Sequence, residues 1–356
     1  MIQHAFWSGR RVFLTGHTGF KGAWMSLLLR SLGADVHGFA LPPERDEDLF
    51  VTAGVQADVH HVVGDVRDAA RLSAALTAAE PEVVVHMAAQ SLVRRSYADP
   101  LGTFATNVMG TANLLEAVRQ CAQVRAVLIV TSDKCYDNRE GASAYRETDR
   151  LGGYDPYSNS KACAEMVTAS YRSSFFGAPG SAAVATVRAG NVFGGGDRSV
   201  DRLIPDAMRA FAAGKTLQIR NPHAVRPWQH VFDVVAAYLG LAQRLAEDGH
   251  AYAEAWNIGP PPSHEVPVST IIEQLVRLWG QGSAWTHDAG PHPHESSFLR
   301  LDSSKAKARL GWRSRIALDE GLKLTVAWYR AASEKKADVR ALSLRQLGAF
   351  VQAAQA

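Results

Sequence analysis

Cysteine is scarce. Three occur in 356 residues, and Cys121, Cys135 and Cys163 show neither an even count nor a metal-type spacing. That excludes a disulfide framework and leads us to expect reduced thiols in a cytoplasmic protein. Long apolar runs are missing too: none approaches the ~18 residues a membrane span needs. The start, MIQHAFWSGRRVFLTG, has no run of signal-peptide type before its first strand-like segment. Charge of one sign is also lacking. Lys and Arg total 38 against 35 Asp and Glu, a net +3, with no basic run to favour nucleic acid. There is no internal repeat and no low-complexity tract. A chain of this length and apolar content can bury a large core, in about two domains.

What is present is alternation. RVFLTG, ADVHGFA, ADVHHVVGD, EVVVHMAA, AVLIVTS and AAVATVRAGNVFG read as strands. AWMSLLLRSLG, DAARLSAALTAAE, TNVMGTANLLEAVRQCA and DPYSNSKACAEMVTASYRSSF read as helices between them. Such alternation predicts an α/β fold, a doubly wound parallel sheet of Rossmann type, with a smaller C-terminal substrate-binding domain. The expected division is 1–190 for the dinucleotide domain with a returning segment near 230–258. Residues 191–229 and 259–335 would form the second domain, and 336–356 a C-terminal tail.

TGHTGFKG places Gly16, Gly19 and Gly22 three apart at the first strand-to-helix junction. A turn without Cβ atoms lets backbone approach a pyrophosphate, and the helix behind it offers unpaired N–H groups. The spacing is GxxGxxG, not GxGxxG. The second strand's tip, VHGFALPPERDED, has no acid at the point where one would hold the ribose of NAD, so NAD and NADP stay open here.

YSNSK sets Tyr157 and Lys161 four apart on one helix face. A phenol with a pKa near 10 is a poor base at neutral pH. An adjacent ammonium favours the phenolate and makes it usable. In VTSDKCYDN, Asp133 and Lys134 follow an apolar strand. An acid beside an amine is costly to place there and useful for moving protons; the bland alternative is a local ion pair capping the strand.

With these blocks in view, the chain resembles the extended short-chain dehydrogenase/reductases that act on nucleotide sugars. FWSGRRVFLTGHTGFKGAW, HMAAQSLVRRSY, TNVMGT, TSDKCYDNRE, GGYDPYSNSKACAE, RAGNVFGGGD, RPWQHV and HPHE are most similar to the branch of CDP-glucose 4,6-dehydratases. The resemblance covers about residues 5–330. It implies NAD as cofactor, a nucleotide-diphosphate sugar such as CDP-glucose as substrate, and a homo-oligomer, dimer or tetramer. It also implies a reaction: oxidation at carbon 4, loss of water across carbons 5 and 6, and return of the hydride to carbon 6.

The roles implied follow residue by residue. Tyr157 is the base for the oxidation, Lys161 lowers its pKa and holds the nicotinamide ribose, and Ser132 completes the trio. Asp133 and Lys134 serve the elimination. Sister enzymes for dTDP-glucose carry Asp-Glu there, so the Asp-Lys of this chain leaves the carbon 5 base open; a lysine can be tuned towards 7 or 8 by like charges or burial. Gly16, Thr18, Gly19, Phe20 and Gly22 lie at the cofactor phosphates. Asp65 and Val66 edge the adenine, and Ala88, Ala89, Gln90 and Thr106 line the cofactor cleft. Asn191, Arg202, Arg226 and His294 contact the substrate, arginine's fork being suited to a diphosphate. Asn107 and Asn113 are expected to tie helix to backbone. No metal is expected at His287, His292, His294 and Glu295, where the prolines argue for a loop closing over the nucleotide.

Two rival classes share parts of this pattern. A 4-epimerase or reductase, or a dehydratase for another nucleotide, would keep the glycine turn, Tyr157 and Lys161; an epimerase or reductase has no need of the 133–134 pair. A non-catalytic NAD-binding sensor would need only the turn.

Overall fold

A computed structural model describes residues 3–138, 141, 143–280, 282–290, 298–334 and 337–353. Seven strands build its main sheet: β1 (Arg11–Thr15), β2 (Asp35–Ala40), β3 (His60–Val63), β4 (Val83–His86), β5 (Ala126–Val130), β6 (Ala183–Arg188) and β7 (Ala255–Asn257). Their order is β7-β6-β5-β4-β1-β2-β3, and every pairing is parallel. Every residue of β4, β5 and β6 is buried. A strand covered on both faces must be apolar on both, which is why these segments read as continuous apolar runs. The exposed edge strand β3 carries two histidines instead.

The longer helices are α1 (Phe20–Ser31), α2 (Ala69–Ala79), α3 (Gly110–Arg119), α4 (Pro156–Phe175), α5 (Leu203–Ala212), α6 (Val231–Asp248), α7 (Val268–Trp279), α8 (Leu318–Ser333) and α9 (Val339–Ala353). Alternate strand residues divide between two cores, as a period of two requires. Val12, Leu14, Val83, Val85 and Leu128 pack with α1 and α6. Phe13, Val84, Val127 and Ile129 pack with α2 and α3 on the other face. The sheet is thus covered on both sides, as the alternating pattern predicts.

After β6 the chain leaves the sheet and comes back. The excursion and the residues after β7 hold three two-stranded pieces. Val192–Phe193 pairs with Gln229–His230, Leu217–Ile219 with Trp285–His287, and Val225–Pro227 with Glu265–Pro267. Helices α5, α7 and α8 pack on one another beside them. Helix α6 then lies back on the sheet, and β7 extends it past β6. The buried Gln229 amide stitches this return, donating to Gly190 O and Ile258 O, each at 3.0 Å. The last segment carries α9, whose Leu347 and Phe350 are buried in the larger core. Trp328 Nε1 donates to Ser343 Oγ at 2.9 Å, tying α9 to α8. None of the described helices is long and apolar enough to cross a membrane.

Candidate active site

The strand order reverses between β1 and β4, and a crevice opens at that point beyond the strands' carboxyl ends. A cleft of about 1620 Å³ occupies it. Gly16, Thr18, Gly19, Phe20, Gly22, Asp65, Val66, Ala88, Ala89, Gln90, Thr106, Ser132, Asp133, Lys134, Tyr157, Lys161, Asn191, Arg202 and Arg226 all line it. One expected contact, His294, lies outside the described residues, as do His292 and Glu295.

At the β1 end, Gly16 has φ +76°, and a Cβ there would sit 2.6 Å from Ala88 N. A Cβ on Gly22 would sit 2.1 Å from Gly16 O. These two glycines let the turn fold tightly between β4 and α1. Gly19 caps α1 in an extended conformation with no side-chain cap, so the first N–H groups of the helix are left for an anion. This turn fits a dinucleotide's pyrophosphate: a Cβ at Gly16 or Gly22 would close the cradle, and neither is there.

The wall of the cleft is fixed by amides. Asn107 lies in a π-helical turn, Ala105–Met109, between Pro100–Phe104 and α3. Its Nδ2 donates to Gln90 O at 2.9 Å and Ser160 Oγ at 2.8 Å, and its Oδ1 accepts from Gln90 N at 2.8 Å. Asn113 Nδ2 donates to Val66 O at 2.9 Å. Both asparagines therefore tie helix to backbone, as expected. The Asp65 carboxylate accepts from Arg67 N and Nε, each at 2.9 Å. The Arg67 hydrogen bond holds that carboxyl below its ordinary pKa.

Helix α4 presents Tyr157, Lys161 and Glu165 on one buried face, four residues apart. Asp155 caps it, accepting from Ser158 N at 2.9 Å, and Pro156 starts it. Burial pushes the Tyr157 phenol up to about 12; the Ser132 hydrogen bond and then the Arg202 charge oppose that rise. Lys161 Nζ donates to Val130 O at 3.1 Å. Burial lowers its pKa to about 8 against the pull of Glu165.

Asp133 and Lys134 sit in a 3₁₀ turn, Asp133–Cys135, straight after β5. Ser132 caps it, accepting from Lys134 N at 3.2 Å and donating to Asp133 Oδ1 at 3.0 Å. Asp133 is only 1% exposed, and its Oδ2 has no hydrogen-bond partner among the described residues. Gly190 makes room for it, since a Cβ there would stand 1.7 Å from Oδ2. Lys134 lines the same cleft, partly buried.

Across the cleft, Arg202 Nη1 donates to Asp197 Oδ2 at 3.2 Å. Arg226 is buried, with Nη1 donating to Val225 O at 3.0 Å. Asn191 has φ +47°, a left-handed backbone, and a buried Nδ2 without a partner among the described residues.

Two residues of the site, and one buried behind it, were missed by sequence reasoning. Lys21, inside the glycine turn, is lowered to about 7 by burial and by the charges of Lys161 and Arg202; a lone cation in a phosphate turn was its only signal. Gly190 and Glu165 needed the fold. Glu165 pairs with Arg188 at 2.7 Å, both side chains 3% exposed. Thr131 and Thr186 donate to its two oxygens at 2.5 and 2.7 Å. Burial alone would raise the Glu165 carboxyl, but Arg188 and these donors hold it below its ordinary pKa.

An open parallel sheet with this phosphate turn, and a tyrosine and lysine four apart at its mouth, defines a class that the comparisons make specific. Residues 13–325 match the GDP-mannose 4,6-dehydratase family, and the chain belongs to it. The CDP-glucose 4,6-dehydratase of Salmonella typhimurium (strain LT2) is 48% identical over 335 residues, 93% of each chain. MoeE5 in complex with UDP-glucose and NAD is 25% identical with a TM-score of 0.74, over 91% of this chain and 99% of that one. The dTDP-glucose 4,6-dehydratase of Bacillus anthracis, in complex with NAD, shares the fold with a TM-score of 0.75 at 23% identity, over 90% and 97% of the two chains.

Proposed function

We infer that this chain is an NAD-dependent hydro-lyase converting CDP-D-glucose to CDP-4-keto-6-deoxy-D-glucose and water. One observation carries the reading: an acid with an unpartnered oxygen, Asp133, faces the same cleft as Tyr157 and Lys161. An oxidation alone needs only the tyrosine and lysine; an elimination needs a further proton donor and acceptor. The CDP specificity rests on the 48% identity to the Salmonella enzyme.

Bound in the glycine turn, NAD supplies the acceptor and later the donor of the hydride. Tyr157 takes the proton of the sugar's 4-hydroxyl, with Ser132 sharing that hydrogen bond. The resulting ketone acidifies the proton on carbon 5. Lys134 serves its removal, either as a neutral amine or by holding a water or oxygen that stabilises the enolate. Asp133 gives its proton to the 6-hydroxyl as water leaves. Ser132 fixes one oxygen of Asp133, so the other is free to make that transfer. Lys161 orients the nicotinamide ribose; Arg202 and Arg226 take the diphosphate, with Asn191 and His294 completing the substrate contacts. Residues 1–190 with 230–258 serve the cofactor, and 191–229 with 259–335 the nucleotide. The working enzyme is a cytoplasmic homo-oligomer, a dimer or tetramer.

The test is incubation with CDP-, dTDP-, UDP- and GDP-sugars, scoring the 4-keto-6-deoxy product by its absorbance in alkali. CDP-glucose should give product with no net NADH, because the hydride taken from carbon 4 returns to carbon 6. Stoichiometric NADH release would mean a simple dehydrogenase, and interconversion of 4-epimers without keto product an epimerase.

A further inference from the structure

Far from the cleft, at the amino ends of the parallel strands, three side chains converge that the proposed reaction does not use. Asp35 and His37 are two apart on β2 and so share a face of the sheet. His60 opens the edge strand β3 and is the register partner of His37. His60 Nε2 lies 3.1 Å from Asp35 Oδ1, and His37 Nε2 lies 3.2 Å from Asp35 Oδ2. The two imidazoles stack with centroids 4.5 Å apart and planes at 21°. One donor atom from each residue falls within 4.8 Å of the other two. The register partner of Asp35 on the other side, Arg11, is turned to Glu80 at 2.8 Å and leaves this carboxylate to the histidines.

We propose that Asp35, His37 and His60 form a surface site for one divalent ion of the zinc, cobalt or nickel type. Two imidazole nitrogens and a carboxylate oxygen are the donor set such ions prefer. With bonds of about 2.0–2.1 Å, tetrahedral donors stand roughly 3.3 Å apart, and each imidazole nitrogen stands at about that distance from a different oxygen of Asp35. The donors sit on paired strands, so their spacing is held by the ladder rather than by a loop. All three side chains reach solvent, with 39%, 22% and 66% of Asp35, His37 and His60 exposed, which leaves an entry path and room for a water ligand. A bound ion would clip the exposed edge strand to its neighbour. The cleft-lining Ala40 lies at the opposite end of β2, three residues and about 10 Å beyond His37, so the ion would not touch substrate.

The test uses the full chain, stripped with chelator and titrated with Co²⁺, following the visible d–d bands, then with Zn²⁺ as competitor. One equivalent of Co²⁺ should give a saturable tetrahedral or five-coordinate spectrum that Zn²⁺ abolishes. His37→Ala, His60→Ala and Asp35→Asn should each weaken binding tenfold or more, while His250→Ala, an exposed histidine elsewhere, should leave it unchanged. The exposure of the three positions lets these variants fold, and unchanged dehydratase turnover confirms that they do. Absence of saturable binding to the wild-type chain, or equal binding by a His37→Ala/His60→Ala double variant, overturns the proposal.

Discussion

Two acids flank the end of β5, and they are built in opposite ways. Glu165 has both oxygens engaged, by Thr131 on one and by Thr186 and Arg188 on the other. Asp133 has one oxygen held by Ser132 and the other without a partner among the described residues. Both are almost fully buried. Burying a polar oxygen without a partner is costly, so the difference marks a division of labour. The Glu165 network is complete and has nothing left to give a ligand; it also reaches, through Arg188, to Tyr136 OH at 2.8 Å and on to Asn257 Oδ1 at 2.6 Å. It holds the turn that carries Asp133. On the proposed reading, the open oxygen of Asp133 is kept for a group that arrives later.

That contrast breaks most sharply on activity. Tyr157→Phe and Asp133→Asn should each cost about 10²–10⁴-fold in turnover with no loss of Tm. They should differ in where the reaction stops. Tyr157→Phe blocks the oxidation, so no NADH forms on the enzyme. Asp133→Asn and Lys134→Met should still form bound NADH and stall at elimination. In Lys134→Met the carbon 5 hydrogen should also fail to exchange with deuterated solvent. Normal exchange and product in that variant would reduce Lys134 to a spectator, and loss of bound NADH would assign it to substrate binding.

The Glu165 side should respond in stability. Arg188→Met leaves a carboxylate buried without its cation, and breaking such a pair costs about 3–5 kcal/mol. Urea unfolding of Arg188→Met should show that loss. Replacing both partners, as Glu165→Gln with Arg188→Met, should recover part of it. A single variant as stable as wild type would mean that the pair is not what holds the turn.

How these two acids read in the sequence differs just as much. Asp133 was visible because it adjoins a strand end within a motif block, and chain neighbours are what a sequence displays. The glycine turn and the Tyr157–Lys161 spacing were legible for the same reason: each is local. Glu165 was hidden although it continues that spacing by one more turn, because its partner Arg188 lies outside the helix, at the end of β6. Gly190 was hidden because its need arises only when Asp133 is laid over it. The strands of the sheet were read from apolar runs, but the three short pairs beyond β6 were not. With two or three residues each, and interrupted by Pro222, Pro227 and Pro267, they carry no period to detect.

The lysines give a smaller effect and a test by pH. Burial depresses Lys21 to about 7 and Lys161 to about 8 from the ordinary value of 10.5. Between those values and 10.5 the unfolded chain binds more protons than the folded one, so stability rises with pH in that window. Each group contributes at most about 1.4 kcal/mol per pH unit. The cofactor-free protein should therefore gain, or lose less, stability from pH 7.5 to 9.5 than Lys161→Met does. Parallel stability–pH curves for the two would show that Lys161 keeps its proton in the folded protein across that window and that burial does not depress its pKa.

The smallest effect sharpens the comparison most, because it removes the same atom from each side. Thr186→Val deletes one donor to Glu165 and keeps the shape of the side chain. Glu165 Oε2 still accepts from Arg188 at 2.7 Å, so the cost is that of one hydrogen bond, about 1 kcal/mol. Turnover should be unchanged, because that oxygen never meets substrate. Ser132→Ala deletes the one hydroxyl that holds Asp133 Oδ1, and with it the hydrogen bond to Tyr157. Its stability should fall by about 1 kcal/mol as well, since the turn loses its cap and a buried carboxylate oxygen its donor, while its turnover should also fall. Measured side by side, the first variant should shift only the urea midpoint and the second both the midpoint and the rate. If Thr186→Val slows turnover at unchanged stability, Glu165 belongs to the reacting machinery and the division drawn between the two acids fails.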